Sequence, residues 1–223
     1  WIYVIVPLAL LGTFWVIAAF TGQWPWQSNP YNSYALQTDS WLKGRLDLGQ
    51  NYEWLELAIY QGKYFVSFPP FPSYVLIPFV VLFGTNTPDH FIALVVTIIG
   101  CIYAVKLYRE TSAEKQHSLF WVLMLYFASG YLFGGINGYV WFIAQSMSFT
   151  LSLMALYYTL RNKGGLALTF WACAVGCRPM LALYGILLGY LLVKGYKKEN
   201  PKGTVWQLVK DKWYWAIGCG AIA

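Results

Sequence analysis

Residues 31–84 read YNSYALQTDSWLKGRLDLGQNYEWLELAIYQGKYFVSFPPFPSYVLIPFVVLFG, and this stretch decides how the chain is organised. It lies between long uncharged segments that are typical of membrane helices. A membrane protein that gathers carboxylates in one large loop has placed there the groups that acid–base chemistry needs. The stretch holds four of the nine acidic residues of the chain: Asp39, Asp47, Glu53 and Glu56.

Composition places the chain in a membrane rather than in water. Of its 223 residues, 58% are hydrophobic and 11% are charged, whereas soluble domains carry about 25% charged residues. The sequence therefore predicts an all-α polytopic membrane protein. The formal net charge of +6 is explained by basic loops that face the cytoplasm, as in most membrane proteins, and we expect no nucleic-acid partner.

Long uncharged segments predict the membrane-spanning helices. About 20 residues at 1.5 Å each cross a hydrocarbon core about 30 Å thick. The eleven residues after Lys212 are too few to cross, so we expect the polypeptide to continue past Ala223. The predicted segments are spans at 1–20, 89–108, 118–136 and 139–160, a tight outer turn at 134–138, and the start of a further span at 213–223.

Residues 64–84 pose the main topological choice, because they are uncharged and long enough to span but contain four prolines. Proline removes a helical hydrogen bond and bends the helix. If the segment does not span, all the later basic clusters fall on the cytoplasmic side, as the positive-inside bias favours. We therefore predict one large outer loop at 21–88, in which 69–84 is an interfacial or re-entrant helix.

Two further interfacial helices are predicted within this loop. Residues 34–46 have helical spacing, with Tyr34, Leu42 and Leu46 on one apolar stripe, and Gly44 is expected to end the helix early. Residues 52–60 are predicted as a second helix at the membrane surface.

Residues 164–194 predict a short helical hairpin with a single charge at its turn. Arg178, followed by Pro179, divides the segment into two arms of about 15 residues, each some 22 Å long. A charged side chain inside a membrane segment is costly and by default marks a functional site. The alternative is that Arg178 extends its apolar stem to the membrane surface or pairs with a structural carboxylate.

Several kinds of site are excluded by the motifs. The sequence has no Cys and His metal-site spacing, no phosphate-binding glycine loop and no nucleophile elbow. No cofactor is predicted, although a divalent metal stays open. The loop carboxylates, the cations and the membrane-facing aromatics suit the transfer of a group from a lipid phosphate, which needs a base, a cation for the leaving phosphate and apolar surface.

Four stretches resemble bacterial membrane glycosyltransferases of the GT-C fold. The loop sequences YALQTDSWLKGRLDL and ELAIYQGKYFVSFPPFPSYVLIPFVVLFG are similar to the first outer loop of the branch related to protein O-mannosyltransferases and the lipid A aminoarabinose transferase (glycosyltransferase family 39-like). YVWFIAQ at 139–145 and AVGCRPMLAL at 174–183 also resemble that family. The resemblance runs over residues 1–195 and implies a GT-C-like N-terminal transmembrane bundle with a large first outer loop.

The resemblance implies an inverting transfer of a sugar from a polyprenyl phosphate on the outer face of the membrane. It implies as partners a polyprenyl-phosphate-linked sugar, the lipid bilayer and an acceptor glycan, lipid or protein, for a multi-pass protein of the bacterial cytoplasmic membrane. Asp39 best matches the family's catalytic carboxylate, and Arg178 matches a basic residue proposed to face the donor phosphate. The candidate site residues are Asp39 and Glu56 as catalytic groups, Arg178 and Lys63 for the donor phosphate, and Tyr34, Tyr64, Asn137 and Gln145 along the substrate.

One departure and two alternatives accompany this interpretation. The better-known transferases carry an Asp-Glu pair where this chain reads PYNSY at residues 30–34. A membrane transporter would use the hairpin as its broken helix. A non-catalytic membrane subunit would keep the GT-C-like fold without the chemistry.

Overall fold

The computed structural model describes residues 1–216, and helices account for 71% of the structure against 4% for strands. Two strands, β1 (Leu57–Tyr60) and β2 (Lys63–Val66), pair antiparallel. Short 3₁₀ turns cover Lys115–His117, Pro179–Leu183 and Trp213–Ala216. In chain order the helices are α1 (Ile2–Thr21), α2 (Ser33–Leu42), α3 (Phe71–Phe83), α4 (Asp89–Thr111), α5 (Ser118–Phe127), α6 (Tyr131–Ile136), α7 (Val140–Leu160), α8 (Gly164–Cys177), α9 (Tyr184–Glu199) and α10 (Val205–Lys212).

Four helical segments among the described residues are long and apolar enough to cross a membrane. They contain 20 to 23 residues each, so they measure roughly 30–35 Å, which matches the hydrocarbon core. The chain is therefore a multi-pass, largely helical membrane protein, as its composition predicts. The four segments are Ile2–Thr21, Asp89–Thr111, Val140–Leu160 and Pro179–Glu199.

One end of the helix bundle gathers the loop segments, and we call it the loop end. Asn29, which follows α1, donates its side-chain amide to the Asp89 carboxylate at the start of α4 (2.8 Å) and to the Gly138 carbonyl just before α7 (3.1 Å). Asn32 donates to the Thr85 carbonyl (3.0 Å). Residues 21–88 therefore begin and end at the loop end, beside the first turns of α4 and α7.

The opposite end of the bundle carries many basic side chains, and we call it the basic end. Arg161, just after α7, forms a 3.2 Å ion pair with Glu110 in the last turn of α4. Asn162 donates to Glu199 at the end of α9 (2.6 Å). Helices α4, α7 and α9 therefore run from the loop end to the basic end, while α1 runs in the opposite direction.

Helices α2 and α3 pack on each other at the loop end. The Thr38 hydroxyl donates to the Ser73 carbonyl (2.8 Å), and the Ser73 hydroxyl donates to the Gln37 side-chain oxygen (2.6 Å). Helix α3 has 13 residues, which is about 20 Å and shorter than the hydrocarbon core. The segment predicted as interfacial or re-entrant thus contains a short apolar helix, and its depth in the membrane stays a prediction.

The predicted surface helix at 52–60 is wrong, because the chain forms a β-hairpin from Leu57 to Val66. Gln61 and Gly62 make the two-residue turn, with φ angles of 50° and 72°. Positive φ at both positions is what a type I′ turn requires, and this is one of the two common two-residue hairpin turns. The flanking residues are rich in aromatic and β-branched side chains, which favour strands.

The predicted apolar stripe of α2 is also wrong. Tyr34 is 2% exposed, but Leu42 and Leu46 are 50% and 75% exposed. The helix ends at Leu42, and Gly44 follows with a φ of 71°, a conformation that glycine adopts without steric cost. Helix α2 therefore stops before Leu46, as Gly44 predicts, and the polar residues that it buries are Ser33, Gln37, Thr38 and Ser40.

The predicted span at 118–136 consists of two short helices, because α5 stops at Phe127 and α6 begins at Tyr131. Ser129 stabilises the break: its hydroxyl donates to the Leu125 carbonyl and accepts from the Tyr131 backbone N–H (3.1 Å). A hydroxyl that bonds nearby backbone groups competes with the helical ladder at such a position.

The predicted turn at 134–138 is misplaced, because Gly134 and Gly135 are helical and the chain turns after Ile136. A Cβ on Gly134 would lie 2.7 Å from the Ser146 hydroxyl, and one on Gly135 would lie 2.8 Å from Thr97. These glycines therefore permit close approach between helices, a common use of small residues in membrane proteins.

The hairpin that contains Arg178 has unequal arms. Its first arm, α8, has 14 residues, as predicted. The second arm begins with the 3₁₀ turn at Pro179 and continues through α9 to Glu199, which gives 21 residues, so the prediction of two arms of about 15 residues is wrong for this arm. Of the predicted span at 213–223, residues 213–216 form a 3₁₀ turn, and 217–223 lie outside the described residues.

Candidate functional site

At the loop end, one tryptophan contacts both a loop carboxylate and the hairpin arginine. The Trp141 indole N–H donates to Glu56 Oε2 at 3.4 Å, a long hydrogen bond. The Trp141 carbonyl accepts from Arg178 Nη2 at 2.7 Å. We call these three residues the Trp141 junction. It joins the first outer loop, the first turn of α7 and the α8–α9 break in one place.

The position of Trp141 follows from how α7 begins. The Val140 backbone N–H donates to the Tyr31 carbonyl (3.1 Å), and the Tyr31 and Trp141 rings lie 5.3 Å apart. Helix α7 therefore starts against the outer loop, with the Val140 backbone N–H and the Trp141 ring both in contact with Tyr31, which precedes α2.

The position of Arg178 follows from the break between α8 and α9. Arg178 is extended, with φ −144° and ψ 103°, because a residue that precedes proline is driven out of the helical region. Its backbone N–H still bonds the Ala174 carbonyl (2.9 Å). The Trp171 indole donates to the Leu181 carbonyl across the break (2.9 Å). The sequence Arg178-Pro179 thus ends α8 and turns the guanidinium towards α7.

The Arg178 guanidinium has unused hydrogen-bonding capacity. Its Nε is buried and has no hydrogen-bond partner among the described residues. Within residues 1–216 no carboxylate forms an ion pair with it, since the ion pairs found there involve other residues. A half-buried guanidinium without a carboxylate is ready to bind an anion, and its fork of donors matches phosphate.

A cavity of about 620 Å³ lies beside Arg178, between α7 and the 3₁₀ turn at Pro179. A second cavity of about 460 Å³ lies between α7 and the α5–α6 break. Gln145 and Phe149 line both cavities, so the predicted substrate residue Gln145 stands between them. The first cavity is lined by polar residues and by apolar ones: Gln145, Ser148, Ser152, Arg178 and Tyr184, with Phe149, Leu153, Pro179, Met180 and Leu181.

Tyr34 lies behind the junction rather than along an open surface. Its ring is 2% exposed and packs with Ile143 and Cys177 in the core, so Tyr34 does not line either of these cavities. Its hydroxyl is buried without a hydrogen-bond partner among the described residues. Burial raises the pKa of Tyr34 above its ordinary value, while the positive charge of Arg178 lowers that pKa in part. Tyr34 therefore stays neutral beside the guanidinium.

The two predicted catalytic carboxylates have different surroundings. Asp39 forms an i,i+4 ion pair with Lys43 at 2.6 Å, and no described hydrogen bond links it to the junction. Glu56 is exposed just before β1, and its backbone carbonyl accepts from the Ser67 hydroxyl (2.8 Å). The structure thus brings Glu56, and not Asp39, into contact with the residue that holds Arg178.

The remaining predicted site residues lie apart from the junction. Lys63 is exposed at the start of β2, and no described hydrogen bond or ion pair involves its ammonium group. Tyr64 is half-buried, and its carbonyl accepts from the Leu48 N–H (2.8 Å). Asn137 is 6% exposed and donates to the Phe133 carbonyl (2.9 Å) at the end of α6. Asn137 therefore has a capping role and does not line the two cavities beside α7.

A buried polar cluster at the loop end escaped the sequence analysis. Asp89 is 2% exposed, and its carboxylate accepts from the Thr87 hydroxyl (2.5 Å) and the Asn29 amide (2.8 Å). The Gly138 N–H is directed at His90 Nδ1 (3.2 Å). We call Asn29, Thr87, Asp89, His90 and Gly138 the Asp89 clamp. The sequence did offer one signal for this cluster, because Asp89 is the first residue of a predicted span. That signal was not distinctive, since acidic residues are common at the start of any helix.

Among the described residues, no group of three or more His, Cys, Asp and Glu side chains is placed to hold a metal ion. The chemistry that this arrangement offers is thus a guanidinium with unused donors, a nearby carboxylate and two cavities on a helical membrane protein. The described chain is of the class of multi-pass helical membrane proteins. No family model, no curated protein and no solved structure matches the chain.

Proposed function

We propose that this protein is an integral membrane glycosyltransferase that moves a sugar from a polyprenyl-phosphate donor to an acceptor on the outer face of the membrane. The observation that carries the proposal is the Trp141 junction. It brings a carboxylate of the outer loop and a cation without a carboxylate partner to one end of α7, beside a largely apolar cavity. These are the three components that a transfer from a lipid phosphate requires.

In the proposed reaction, Glu56 accepts the proton of the acceptor hydroxyl as that oxygen bonds to the anomeric carbon. The bond between that carbon and the phosphate oxygen breaks on the opposite side, and its electron pair leaves with the polyprenyl phosphate. Arg178 stabilises the leaving phosphate through its free donors. Attack opposite to the leaving group inverts the anomeric centre.

The cavity beside Arg178 suits the lipid part of the donor. Phe149, Leu153 and Leu181 are among the apolar residues that line it, and Ser148 and Ser152 add hydroxyls. An isoprenoid chain on the apolar wall would leave its phosphate near the guanidinium. Asp39 is the second candidate base, and Lys63 stays a candidate for the phosphate on the strength of the family resemblance alone.

Charge distribution supports the outer orientation of the loop end. Contacts place Arg161 at the basic end with the last turn of α4, and the lysines that end α9 lie there as well. Positive-inside bias puts that end in the cytoplasm. We therefore propose a protein of the bacterial cytoplasmic membrane whose junction faces outwards.

The test is transfer of radiolabelled sugar in proteoliposomes that contain the full chain and polyprenyl-phosphate-linked hexoses, supplied one at a time. We expect Glu56→Gln to lower the rate by about 10²–10⁴-fold, as loss of a general base does. Glu53→Gln is the matched control, because it removes a carboxylate from the same loop without touching the junction. Asp39→Asn tests the second candidate base.

Two outcomes would overturn parts of the proposal. Transfer that survives both Glu56→Gln and Asp39→Asn in correctly folded protein would overturn the assignment of a loop carboxylate as the base, while the transferase function would stand. Absence of transfer for every hexose donor, while Arg178→Gln still weakens binding of the donor, would overturn the transferase function, because it indicates binding without catalysis. Arg178→Lys is expected to recover part of the loss, because lysine keeps the charge but not the bidentate fork.

The transporter alternative has one specific observation in its favour. The chain breaks twice within apolar helical segments, between α5 and α6 and between α8 and α9, and broken helices form the binding sites of many transporters. The same proteoliposomes distinguish the two functions. A transporter would move the labelled donor across the bilayer with its sugar still attached. The bond between sugar and phosphate would stay intact in the unmutated protein as well as in Glu56→Gln.

A further inference from the structure

Helix α10 is short, amphipathic and held at a defined position. It begins at a capping box, in which the Thr204 hydroxyl accepts from the Gln207 N–H (3.2 Å) and the Gln207 side chain accepts from the Thr204 N–H (2.8 Å). Such a box satisfies two free backbone donors at the helix start. On one side Leu208 is buried, and Asp211 accepts from the Tyr196 hydroxyl of α9 (2.9 Å).

The other side of α10 exposes large apolar side chains. Val205 and Val209 are each 51% exposed, and Trp206 and Trp213 are 66% and 65% exposed. At helical spacing these four residues share one face. No described segment covers this face, so in water it would leave apolar surface unpaired.

The place of α10 relative to the membrane follows from α9. The segment Pro179–Glu199 is long and apolar enough to cross, and Lys197 and Lys198 lie in its last turn. Helix α10 begins at Val205, soon after that end, so it lies at the boundary between hydrocarbon and water. Tryptophan and valine on one face suit an amphipathic helix that lies in this boundary.

The charges around α10 are positive and not neutralised. The two acidic residues nearby bond to neutral donors, since Glu199 accepts from Asn162 (2.6 Å) and Asp211 accepts from Tyr196 (2.9 Å). Within residues 1–216 no ion pair involves the lysines of this region. The ammonium group of Lys210 lies 5.7 Å from the Trp206 ring, so a cation and an indole are presented together. The lysines are Lys194, Lys197, Lys198, Lys202, Lys210 and Lys212.

We propose that α10 and these lysines form a docking surface for anionic phospholipid headgroups at the basic end of the bundle. The valine and tryptophan face enters the boundary region, and the lysines contact the phosphate groups. The commitment to a lipid surface rests on three facts together: the exposed apolar face, the excess of positive charge and the position directly after a candidate span. The proposal is independent of the activity at the loop end.

The test uses the full chain in nanodiscs, with its native cysteines replaced and an environment-sensitive fluorophore attached at Val209→Cys. We expect a blue-shifted emission and protection from acrylamide when the disc contains phosphatidylglycerol, and a smaller effect in discs of phosphatidylcholine alone. Ala113→Cys is the matched control, because Ala113 is exposed in the loop after α4 and lies outside the α10 face. Its label is expected to stay accessible in both discs.

A pair of charge variants isolates the electrostatic part. Lys198→Gln/Lys202→Gln removes two lysines of the surface, and Lys43→Gln/Arg45→Gln removes two charges at the loop end. With about 1 kcal/mol for each lysine at an anionic surface, the first variant should weaken the phosphatidylglycerol-dependent docking ~30-fold. The second should leave it unchanged.

Three results would overturn the proposal. The first is a label at position 209 that stays open to acrylamide in both discs. The second is equal protection with and without phosphatidylglycerol, which indicates an apolar contact without lipid selectivity. The third is protection in phosphatidylglycerol discs that Lys198→Gln/Lys202→Gln leaves unchanged, which indicates that the lysines do not contact the headgroups.

Discussion

Asn29 is the residue whose replacement tests the architecture of the loop end most directly. Its side chain makes three hydrogen bonds, two of them fully buried. The amide donates to the Asp89 carboxylate (2.8 Å) and to the Gly138 carbonyl (3.1 Å), and its oxygen accepts from the Tyr31 N–H (2.8 Å). One side chain thus connects the outer loop to the starts of α4 and α7, and Asn29→Ala removes all three bonds at once.

The expected cost follows from the kind of each bond. A hydrogen bond to a charged group contributes about 1.5–3 kcal/mol, and a neutral one about 0.5–1.5 kcal/mol. One bond of Asn29 is to a carboxylate and two are to neutral backbone groups, so Asn29→Ala should lower the free energy of unfolding by about 4 kcal/mol. Asn29 is 5% exposed, so water does not readily replace the lost partners.

The assay is equilibrium unfolding in mixed detergent micelles, followed by circular dichroism. Two asparagines calibrate it. Asn32 makes one described side-chain bond, to the Thr85 carbonyl, so Asn32→Ala should cost about 1 kcal/mol. Asn86 is exposed, and Asn86→Ala should stay within about 0.5 kcal/mol. A cost for Asn29→Ala no larger than that for Asn32→Ala would refute the reasoning.

Three further changes test other parts of the structure. In Gly138→Ala the new Cβ would collide with the backbone of Asp89 and His90, so we expect loss of folded protein in size-exclusion chromatography. Gly130→Ala is the control and should fold normally, because its Cβ would meet no atom within 4 Å. Tyr34 has a raised pKa in the folded protein, so its contribution to the free energy of unfolding is complete below a pH of about 10 and decreases as the pH rises further. Tyr34→Phe should therefore flatten the alkaline part of the curve of unfolding free energy against pH. An unchanged curve would contradict burial of the hydroxyl. Gly62→Ala forces a side chain into a φ of 72° and should destabilise the hairpin by about 1 kcal/mol, measured as faster proteolysis of the loop.

The length of the uncharged segments made the class of protein predictable. Helices Ile2–Thr21, Asp89–Thr111 and Val140–Leu160 lie where the sequence predicts spans at 1–20, 89–108 and 139–160. Twenty apolar residues in a row leave few other structures open to a chain in a membrane. The largely helical, multi-pass class is confirmed for this reason.

Local detail was less predictable where the same residue types suit two different structures. Gly134 and Gly135 suit both a turn and a close helix contact, and the presence of Ser146 and Thr97 opposite them decided for the contact. The hairpin at Leu57–Val66 depends on Gln61, a non-glycine residue with a φ of 50°. A left-handed glutamine has no strong signal in a single sequence.

The candidate site was predictable in part. Arg178 stood out because a lone charge in an apolar segment is costly. Trp141 did not stand out, because it contacts Arg178 through its backbone carbonyl, and any residue has a carbonyl. Asp89 also escaped, because its burial depends on Asn29 and Gly138, which are distant in sequence.

The Asp89 clamp and the Trp141 junction meet in four consecutive residues, 138–141. The Gly138 carbonyl binds Asn29, the Val140 N–H binds the Tyr31 carbonyl, and the Trp141 carbonyl binds Arg178. Three separate segments therefore hold one turn of chain, and a shift of that turn moves the junction. A variant of the clamp that still folds, such as Asn29→Ser, should then weaken donor binding through displaced Trp141, although the clamp itself lies outside the cavity beside Arg178. Unchanged donor affinity in this variant would show that the two features are structurally independent.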